Sequence, residues 1–596
     1  MQLQNTLSQH ISEALQALFQ ITAEASQLAL QPTRKEFAGS FTFVTFPYTK
    51  QVGKSPEQIG QALGEYLKAH APAVKDFNVV KGFLNLEVKA EEWLRLFRDM
   101  LEQPEYGQAA ASGRNVMVEY SSPNTNKPLH LGHLRNNFLG YSVSEIMKAN
   151  GHNVLKANLV NDRGIHICKS MLAYEKFGDS ETPESSDLKG DHLVGKYYVL
   201  FDKAYKVQVE ELTSGGMDKE EAKKKAPLML EAQDMLKKWE KGDSEVVALW
   251  KKMNSWVYAG FDETYRTIGV DFDKFYYESG TYMLGKELVE EGLQKEVFFR
   301  KSDGSVWVDL TDEGLDEKLL LRADGTSVYI TQDLGTAQLK YNDFPYDASL
   351  YVVADEQNYH FQVLKAVLKK LGKPYANGIY HLSYGMVDLP SGKMKSREGT
   401  VVDADELVQE MVETARQQTE ELGKIEGFTP EQAQELYHTL AMGALKYFLL
   451  KVDPKKRMLF NPQESIDFRG NTGPFIQYTH ARISAILRKA GEMGIAVEAA
   501  SFNDFTNLHE TEQEVITQLS NYPAVVEEAG KLYAPSVIAN YAYELAKAYN
   551  RFYQEVSIFN ETDAQARSFR IALSAMVARF VRHSMGLLGI EVPERM

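Results

Sequence analysis

The segment NVMVEYSSPNTNKPLHLGHLRNNFLGYSVSEIMKANG, from Asn115 to Gly151, decides the fold. Its opening residues VMVEY are β-formers in one short run, which predicts a strand. The turn residues SSPN break that strand, and apolar residues then recur at helical spacing until Gly151 stops the helix. The segment therefore predicts a strand followed by a helix N-terminus, which is where phosphate groups bind in a parallel α/β sheet.

Two histidines, His130 and His133, flank Gly132 at the predicted start of this helix. An imidazole N–H there can donate to a phosphate oxygen, and the helix dipole adds to the attraction. Gly132 leaves room for a flat group, such as a purine ring, against the backbone. Short motifs recur by chance, so the motif alone fits a capped helix with two surface histidines better than a phosphate site.

A second motif, KMKSREG, spans Lys393–Gly399 and carries three cations beside glycines. Such a loop can lie over a triphosphate, where its cations would stabilise charge that develops on pyrophosphate. Taken alone, a basic surface loop is again the simpler interpretation. The two motifs lie about 260 residues apart, in the two halves of the predicted α/β region, so they are not independent.

The composition limits the possible classes of protein. A chain of 596 residues predicts three or four domains. The net charge of −16 argues against non-specific nucleic-acid binding, so such a partner would need locally gathered Lys and Arg. The single cysteine, Cys168, excludes an intrachain disulfide and fits a reducing compartment. We expect neither a secretory signal nor a transmembrane helix, because no long apolar run occurs.

Along the chain, 1–110 predicts a small α+β accessory domain, and 111–425 predicts a Rossmann-type parallel sheet. A polar helical insertion that ends in a β-hairpin splits this sheet at about 177–325. Residues 426–596 show helical periods only, which predicts an all-α domain. The fold class is therefore multidomain α/β.

Some local patterns give narrower expectations. A helix is predicted over Thr6–Leu28, and a mobile loop over Gly178–Ser186. Ser327–Thr331 predicts a strand, with a helix opening at Asp333. The lysines of Lys219–Lys225 favour a solvated helix face, and contact with a nucleic-acid backbone is the alternative.

Together the two motifs resemble the HxGH and KMSKS signatures of class I aminoacyl-tRNA synthetases. Other stretches resemble the arginyl-tRNA synthetase family in particular, and they extend over nearly the whole chain in the family's order. These stretches are Ser122–Asn124, Asp324–Thr326 with Tyr329 and Asp333, Val353–Gln357 with His360, Asn471–Arg482 and Val592–Met596.

The resemblance implies activation of L-arginine by ATP to arginyl-adenylate, followed by transfer to the 3′ end of tRNA-Arg. It implies four catalytic residues: His130, His133, Lys127 and Lys393. It implies ATP contacts from His130, Gly132, His133, His360, Met386, Lys393, Lys395 and Ser396.

Magnesium is expected to arrive with ATP, held mostly by phosphate oxygens and water. Asp162 and His166, with Cys168, lack a consistent ligand spacing, so structural use is the better interpretation. We therefore predict no dedicated metal site in the protein.

A guanidinium site needs a carboxylate that accepts paired N–H bonds, with an aromatic ring nearby. The candidates are Asp333 and Glu119 for the carboxylates and Tyr329 for the ring, although Asp333 could instead be a helix cap. The whole predicted arginine site is Glu119, Ser122, Asn124, His133, Tyr329, Asp333 and Gln357.

The C-terminal helices resemble an anticodon-binding domain, in which aromatic stacking and arginine–phosphate contacts are expected. The residues that the resemblance implies for tRNA are Tyr478, Arg482, Asn550, Arg551 and Met596. The N-terminal domain is expected at the tRNA elbow, and the chain is expected to be a cytoplasmic monomer. Another class I synthetase and a non-catalytic RNA-binding paralogue are the alternatives.

The chain departs from the family's KMSKS pattern at two positions. Lys395 stands third and Ser396 fourth, so the usual second lysine is missing. We hypothesise that Lys127, just before the histidine motif, supplies the missing cation, with Lys395 as the rival.

Overall fold

The structure is a computed structural model that describes residues 2–34, 36–388, 402–423, 425–495 and 498–596. Three predicted site residues lie outside the described residues: Lys393, Lys395 and Ser396. Within the described part, the α-helices are α1 (Gln2–Phe19), α2 (Thr49–Val52), α3 (Pro56–His70), α4 (Ala90–Leu101), α5 (Leu131–Ala149), α6 (Ile165–Phe177), α7 (Pro183–Ser186), α8 (Gly190–Ser214), α9 (Lys219–Lys225), α10 (Pro227–Glu240), α11 (Ser244–Ile268), α12 (Glu278–Thr281), α13 (Lys286–Gln294), α14 (Tyr329–Asp343), α15 (Asn358–Lys370), α16 (Ala404–Glu421), α17 (Pro430–Leu450), α18 (Pro462–Ser465), α19 (Gly473–Glu492), α20 (Glu510–Leu532), α21 (Pro535–Glu555) and α22 (Ala564–Leu587). The strands are β1 (Leu30–Pro32), β2 (Phe41–Val44), β3 (Val74–Val80), β4 (Phe83–Val88), β5 (Asn115–Glu119), β6 (Asn153–Val160), β7 (Lys274–Tyr277), β8 (Phe299–Arg300), β9 (Val306–Val308), β10 (Lys318–Leu321), β11 (Ala348–Ala354), β12 (Ile379–Tyr384), β13 (Val387–Asp388) and β14 (Met458–Leu459).

The N-terminal region is the predicted α+β unit. Its four strands form an antiparallel sheet in the order β1-β2-β4-β3, and α3 packs on β3 and β4. Helix α3 begins with a capping box between Ser55 and Gln58. The predicted helix over Thr6–Leu28 is too long, because α1 ends at Phe19 and Gln20 adopts a left-handed φ of 57°.

The central sheet is parallel throughout, in the order β12-β11-β5-β6-β7, and β5 lies at its centre. Alternate residues of β5 face opposite sides: Val116 and Val118 join the larger core cluster, and Met117 joins the second one. Both faces of the sheet are therefore covered, which is why the strand reads as a continuous apolar run.

The predicted strand over Ser327–Thr331 is wrong, because α14 already begins at Tyr329. Buried residues Ile330, Leu334 and Ala337 recur at helical spacing and pack into the second core cluster. This tertiary burial overrides the β propensity of the short Ser-Val-Tyr-Ile-Thr run. Asp333 therefore lies in the second turn of the helix and is not its cap.

The insertion between the two halves of the sheet is helical from α7 to α11. It then contributes β7 to the central sheet, which the prediction of a helical and β-hairpin insertion did not include, and adds the antiparallel strands β8, β9 and β10. The expected loop Gly178–Ser186 is more structured than predicted. Thr182 caps α7, and the Glu181 carboxylate accepts from Lys196 at 2.8 Å. Residues Lys219–Lys225 form α9, as the helical periodicity predicts.

The C-terminal region is all-α apart from the two-residue strand β14, as predicted. Helix α19 packs against α17 and α22, while α20 packs against α21. Strand β14 of the C-terminal region pairs in parallel with β13, which follows β12 in the chain. This pairing joins the C-terminal region to the segment that follows the central sheet. In the part of the chain that the structure describes, no helix combines the length and apolarity needed to cross a bilayer.

Candidate functional site

The site forms at the carboxyl ends of the central strands, where parallel sheets bind their ligands. After β5, the chain turns through Ser121 and Ser122, which adopt left-handed φ values of 72° and 46°. Asn136 of α5 accepts from the Ser121 N–H at 2.5 Å, and Asn158 of β6 accepts from the Ser122 N–H at 3.1 Å. These two bonds hold a turn that non-glycine residues seldom adopt.

The two histidines at the start of α5 are held in one tautomer each. The Gly132 N–H donates to Nδ1 of His130 at 3.1 Å, and the His130 N–H donates to Nδ1 of His133 at 3.2 Å. A backbone N–H can only donate, so each Nδ1 is an acceptor and a neutral ring carries its proton on Nε2. The ring centroids are 3.9 Å apart. The motif therefore offers two neighbouring Nε2–H donors.

Both rings are neutral near pH 7. The pKa of His130 is lowered to about 4, chiefly by burial and also by nearby Lys127, with Asp403 partly opposing the shift. Burial lowers the pKa of His133 well below its usual value, with smaller effects from His130 and Lys127. The histidines therefore act as hydrogen-bond donors rather than as cations.

Lys127 lies beside the histidine motif and is the residue proposed as the cation of this site. Burial lowers the pKa of its ammonium, and no carboxylate contributes to that shift. Among the described residues it has neither a hydrogen bond nor an ion pair. Its side chain lines a cavity of about 240 Å³ together with His130, His192 and Asp403. A half-buried lysine without a counter-ion suits an anionic ligand.

A second cavity, of about 600 Å³, lies over the same sheet edge. We call it the carboxylate pocket. Tyr329 stands at its rim with 79% of its surface exposed, an open aromatic wall. The pocket brings together six of the seven predicted arginine-binding residues: Glu119, Ser122, Asn124, Tyr329, Asp333 and Gln357. The seventh, His133, stays with the histidine motif and does not line this pocket.

The two carboxylates of the pocket are in different electrostatic states. Glu119 is buried and forms an ion pair with Lys340, which is 1% exposed and lies 4.7 Å from the Tyr351 ring centroid. Asp333 is partly exposed, and its Oδ2 accepts from Nε2 of His360 at 2.5 Å. The charge of Glu119 is thus balanced inside the protein, and Asp333 is the carboxylate that a cationic ligand would meet.

Sequence reasoning missed Lys340, because a lysine is seldom buried unless it is paired. The helical period provides the signal. Tyr329, Asp333, Thr336 and Lys340 follow one face of α14 at steps of four, three and four residues, and all four line the pocket. This spacing can be recognised in the sequence only if the helix is predicted to begin at Tyr329 and not at Asp333.

Two predicted ATP-binding residues lie away from the histidine motif. His360 lines the carboxylate pocket and bonds Asp333. Met386 follows β12, and its carbonyl accepts from the Met458 N–H at 3.2 Å. Next to it, buried Arg135 of α5 donates to the Gly385 carbonyl at 2.5 Å and to the Lys456 carbonyl at 2.9 Å. Arg135, which sequence reasoning missed, thereby ties α5 to the residues just before β13 and just before β14.

A third cavity, of about 770 Å³, adjoins the carboxylate pocket and extends under the insertion. The two cavities share Asn124, Tyr329 and Asp333. The larger one also carries the basic residues Lys127 and Arg322. A polar ligand could therefore reach both the histidine motif and the carboxylate pocket from the side of the insertion.

A fourth cavity, of about 560 Å³, lies in the C-terminal helices. Predicted tRNA-binding residues Tyr478, Arg482 and Met596 line it. The Arg482 guanidinium lies 4.8 Å from the Tyr478 ring centroid and donates to Asn550 Oδ1 at 2.5 Å. Its other basic residues are Arg488, Lys489 and Arg595, and its further aromatic residues are Phe428, Tyr553 and Phe559.

The structure places the fifth predicted tRNA-binding residue, Arg551, elsewhere. Its guanidinium lies within 2.9 Å of carboxylates from Glu510, Glu514 and Glu555, and it does not line the cavity. Three carboxylates more than balance its charge, so Arg551 is poorly suited to a phosphate contact.

One group of possible metal ligands occurs among the described residues: Asp191, His192 and Asp405. Lys189 already forms ion pairs with both carboxylates, and His192 bonds Asp403 at 3.0 Å. The donors are therefore engaged within the protein. Near the histidine motif the ligands are N–H groups and a cation, which suits a magnesium ion that arrives on a polyphosphate rather than one held by the protein.

Comparison with known proteins gives consistent matches over the whole chain. The family model described as "tRNA synthetases class I (R), catalytic domain" matches residues 97–461. Models described as "DALR anticodon binding domain" and "Arginyl tRNA synthetase N terminal domain" match residues 476–596 and 5–88.

Among curated proteins, the chain is 59% identical to "Arginine--tRNA ligase" of Amoebophilus asiaticus, over 99% of both chains. It is 58% identical to the protein of that name from Bacteroides thetaiotaomicron, over the full length of both. Among solved structures, it is similar to arginyl-tRNA synthetase of Thermus thermophilus, with a TM-score of 0.77 and 25% identity over the full length of both chains.

Proposed function

The chain belongs to the arginyl-tRNA synthetase family of class I enzymes and is an arginine–tRNA ligase, and we propose that the residues at the carboxyl edge of its central sheet carry out this reaction. The observation that carries the proposal is that two sites meet at the end of β5, where the following turn lines one site and the start of α5 forms the other. The histidine motif offers donors and a cation to phosphate, and the adjoining carboxylate pocket offers Asp333 to a guanidinium.

In the first step, an arginine carboxylate oxygen attacks the α-phosphorus of ATP. The bond from that phosphorus to the bridging oxygen breaks, and pyrophosphate leaves with the electron pair. Nε2–H of His130 and of His133 would donate to phosphate oxygens, and Lys127 would stabilise the negative charge that grows on the leaving group. Magnesium, bound to the phosphates of ATP, would share that charge.

Arginine would lie in the carboxylate pocket with its guanidinium toward Asp333 and beside the Tyr329 ring. Glu119, held by Lys340, would accept a further N–H without adding net charge. Ser122, Asn124 and Gln357 are polar groups suited to the amino and carboxylate ends of the substrate. An analogue without the guanidinium would offer no cation to Asp333 and no paired N–H donors to its carboxylate, so such a pocket discriminates strongly.

In the second step, the 2′-OH of the terminal adenosine of tRNA attacks the carbonyl carbon of arginyl-adenylate, and AMP leaves. The cavity under the insertion, of about 770 Å³, adjoins both sites and could receive the terminal nucleotide. We assign the tRNA elbow to the N-terminal domain (1–110), catalysis to 111–425 with its insertion at about 177–325, and the anticodon to 426–596. The expected partners are ATP, L-arginine and tRNA-Arg, and the expected setting is a monomer in the cytoplasm.

The test is ATP–pyrophosphate exchange with purified full-length protein. Exchange is expected with arginine and cognate tRNA, and it is expected to be absent with lysine or citrulline in place of arginine. Exchange supported equally by citrulline would contradict the assignment of Asp333 to the guanidinium, because citrulline is neutral.

A further inference from the structure

A cluster of charged residues joins the helical insertion to the N-terminus of α16. We call this cluster the insertion junction, and it consists of Lys189, Asp191, His192, Asp403 and Asp405. The first three belong to the insertion, at the start of α8, and the last two lie at the start of α16. Lys189 forms ion pairs with Asp405 and Asp191, and also donates to Thr264 of α11 at 2.6 Å.

Within this junction, the His192 imidazole is hydrogen-bonded to the Asp403 carboxylate. Nε2 of His192 lies 3.0 Å from Asp403 Oδ2 and 3.4 Å from an Asp405 oxygen. The other oxygen of Asp403 caps α16, accepting from the Asp405 and Glu406 N–H groups at 2.9 and 3.1 Å. The hydrogen bond to Asp403 is the largest effect on His192 and raises the pKa of its imidazole.

Asp403 is joined in turn to the histidine motif. The backbone of Asp403 forms an isolated antiparallel bridge with that of His130. The Leu131 N–H donates to the Val402 carbonyl at 3.1 Å, and the Ala404 N–H donates to the Leu129 carbonyl at 3.0 Å. The backbone that carries the His130 ring is therefore fixed against the residues on either side of Asp403.

We propose that His192 is a positioning residue for ATP: by holding Asp403, it fixes the backbone bridge that sets the His130 ring in place. The insertion thereby has a direct structural connection to the phosphate-binding motif. The inference rests on the proposed function of the histidine motif.

Three substitutions of His192 test the proposal in the full-length enzyme. His192→Leu removes the bond to Asp403. His192→Asn also removes the bond, because its side chain is polar but too short to reach Asp403. It gives a second test if the leucine variant has a folding defect. His192→Gln places an amide N–H2 near the position of Nε2 and should restore the bond. A matched control is Lys206→Gln, which breaks an exposed ion pair with Asp202 on the same helix.

The measurement is ATP–pyrophosphate exchange with arginine and tRNA, analysed for each substrate. For the leucine and asparagine variants, kcat/KM for ATP is expected to fall about 10-fold or more, as for other residues that orient a substrate-binding group. The KM for arginine should be unchanged, because no junction residue lines the carboxylate pocket. The glutamine and Lys206 variants should resemble the wild type. Wild-type kcat/KM for ATP in both the leucine and the asparagine variant would overturn the proposal.

A double-mutant cycle distinguishes positioning from direct contact with phosphate, because His192 also lines the cavity of Lys127. Asp403→Ser keeps a helix cap but is too short to reach His192. If His192 acts through Asp403, the leucine substitution should have no further effect in the Asp403→Ser background. Additive effects would overturn the positioning role. Absence of exchange in the wild type would instead contradict the proposed function itself.

Discussion

At the scale of single residues, substitution of Lys127 gives the most specific test of the proposed catalytic residues. Its ammonium is half-buried without a counter-ion among the described residues, beside two neutral histidines. Lys127→Ala is expected to lower kcat for ATP–pyrophosphate exchange about 100-fold, in the range seen when one transition-state donor is removed. Lys127→Arg should retain most of the activity. If Lys395→Ala is crippled and Lys127→Ala is not, the Lys127 hypothesis is wrong.

The histidine motif has a protonation pattern that can be measured directly. The pKa of His130, about 4, means that the ring is neutral above roughly pH 5 and protonates only as the pH falls through about 4. A pKa below that of the unfolded chain stabilises the fold above pH 6.5, and this contribution is lost as the pH falls toward 4. Nitrogen NMR of labelled histidine, with His130→Asn to assign the ring, should show the Nε2–H tautomer from pH 6 to 8. Titration of His130 near 6.5 would contradict the structure.

Glu119 is expected to contribute to the stability of the fold, separately from substrate binding, because it pairs with buried Lys340. Glu119→Gln leaves the ammonium of Lys340 buried without its carboxylate. Removing one partner of a buried ion pair costs about 3–5 kcal/mol, so the variant should unfold at a clearly lower temperature than the wild type. The double variant Glu119→Gln with Lys340→Met should recover part of that loss. Calorimetry of the three proteins gives the comparison, and an unchanged unfolding temperature in the single variant would refute the pairing.

At the scale of elements, the close packing of α5 on the turn after β5 sets the position of the histidine motif. A Cβ at Gly140 would lie 2.2 Å from the Tyr120 ring. Gly140→Ala should therefore displace α5, cost about 1–3 kcal/mol of stability and reduce exchange activity. Gly586→Ala in α22, where a Cβ meets no atom within 4 Å, is the control and should be neutral or stabilising. Equal thermal unfolding of both variants would contradict this packing.

Local pattern sufficed to predict some elements and failed for others, for physical reasons. The β5–α5 unit was predictable, because its strand, turn and helix signals agree with one another. α14 was predicted too short at its start, because Val328 to Thr331 have β propensity and only tertiary burial makes them helical. Two pocket residues on α14, Tyr329 and Asp333, were found by resemblance. Lys340 was missed because its helical spacing from Tyr329 shows only when the helix is predicted to begin there. The insertion junction was missed because charged residues far apart in sequence give no periodic signal.

At the scale of the whole molecule, a basic aromatic cavity lies in the C-terminal helices of a chain with net charge −16. Arg482→Ala should raise the KM for tRNA in aminoacylation about 10-fold, with little change in the KM for arginine. Arg551→Ala is the matched comparison, and it should leave the KM for tRNA near that of the wild type, because three carboxylates already bind its guanidinium. The reverse ranking would contradict the assignment of this cavity to tRNA binding.

Activation of arginine requires the two sites to meet at one sheet edge, with Asp333 receiving the guanidinium of arginine. The most direct measurement is the KM for arginine of Asp333→Asn, in exchange assays with tRNA, beside the control Asp343→Asn at the far end of α14. We expect a rise of about 100-fold or more, since losing one partner of a desolvated charge pair costs about 2–5 kcal/mol. The KM for ATP should change little, and the control should match the wild type. An unchanged KM for arginine in Asp333→Asn would contradict the assignment of Asp333 to the guanidinium of arginine.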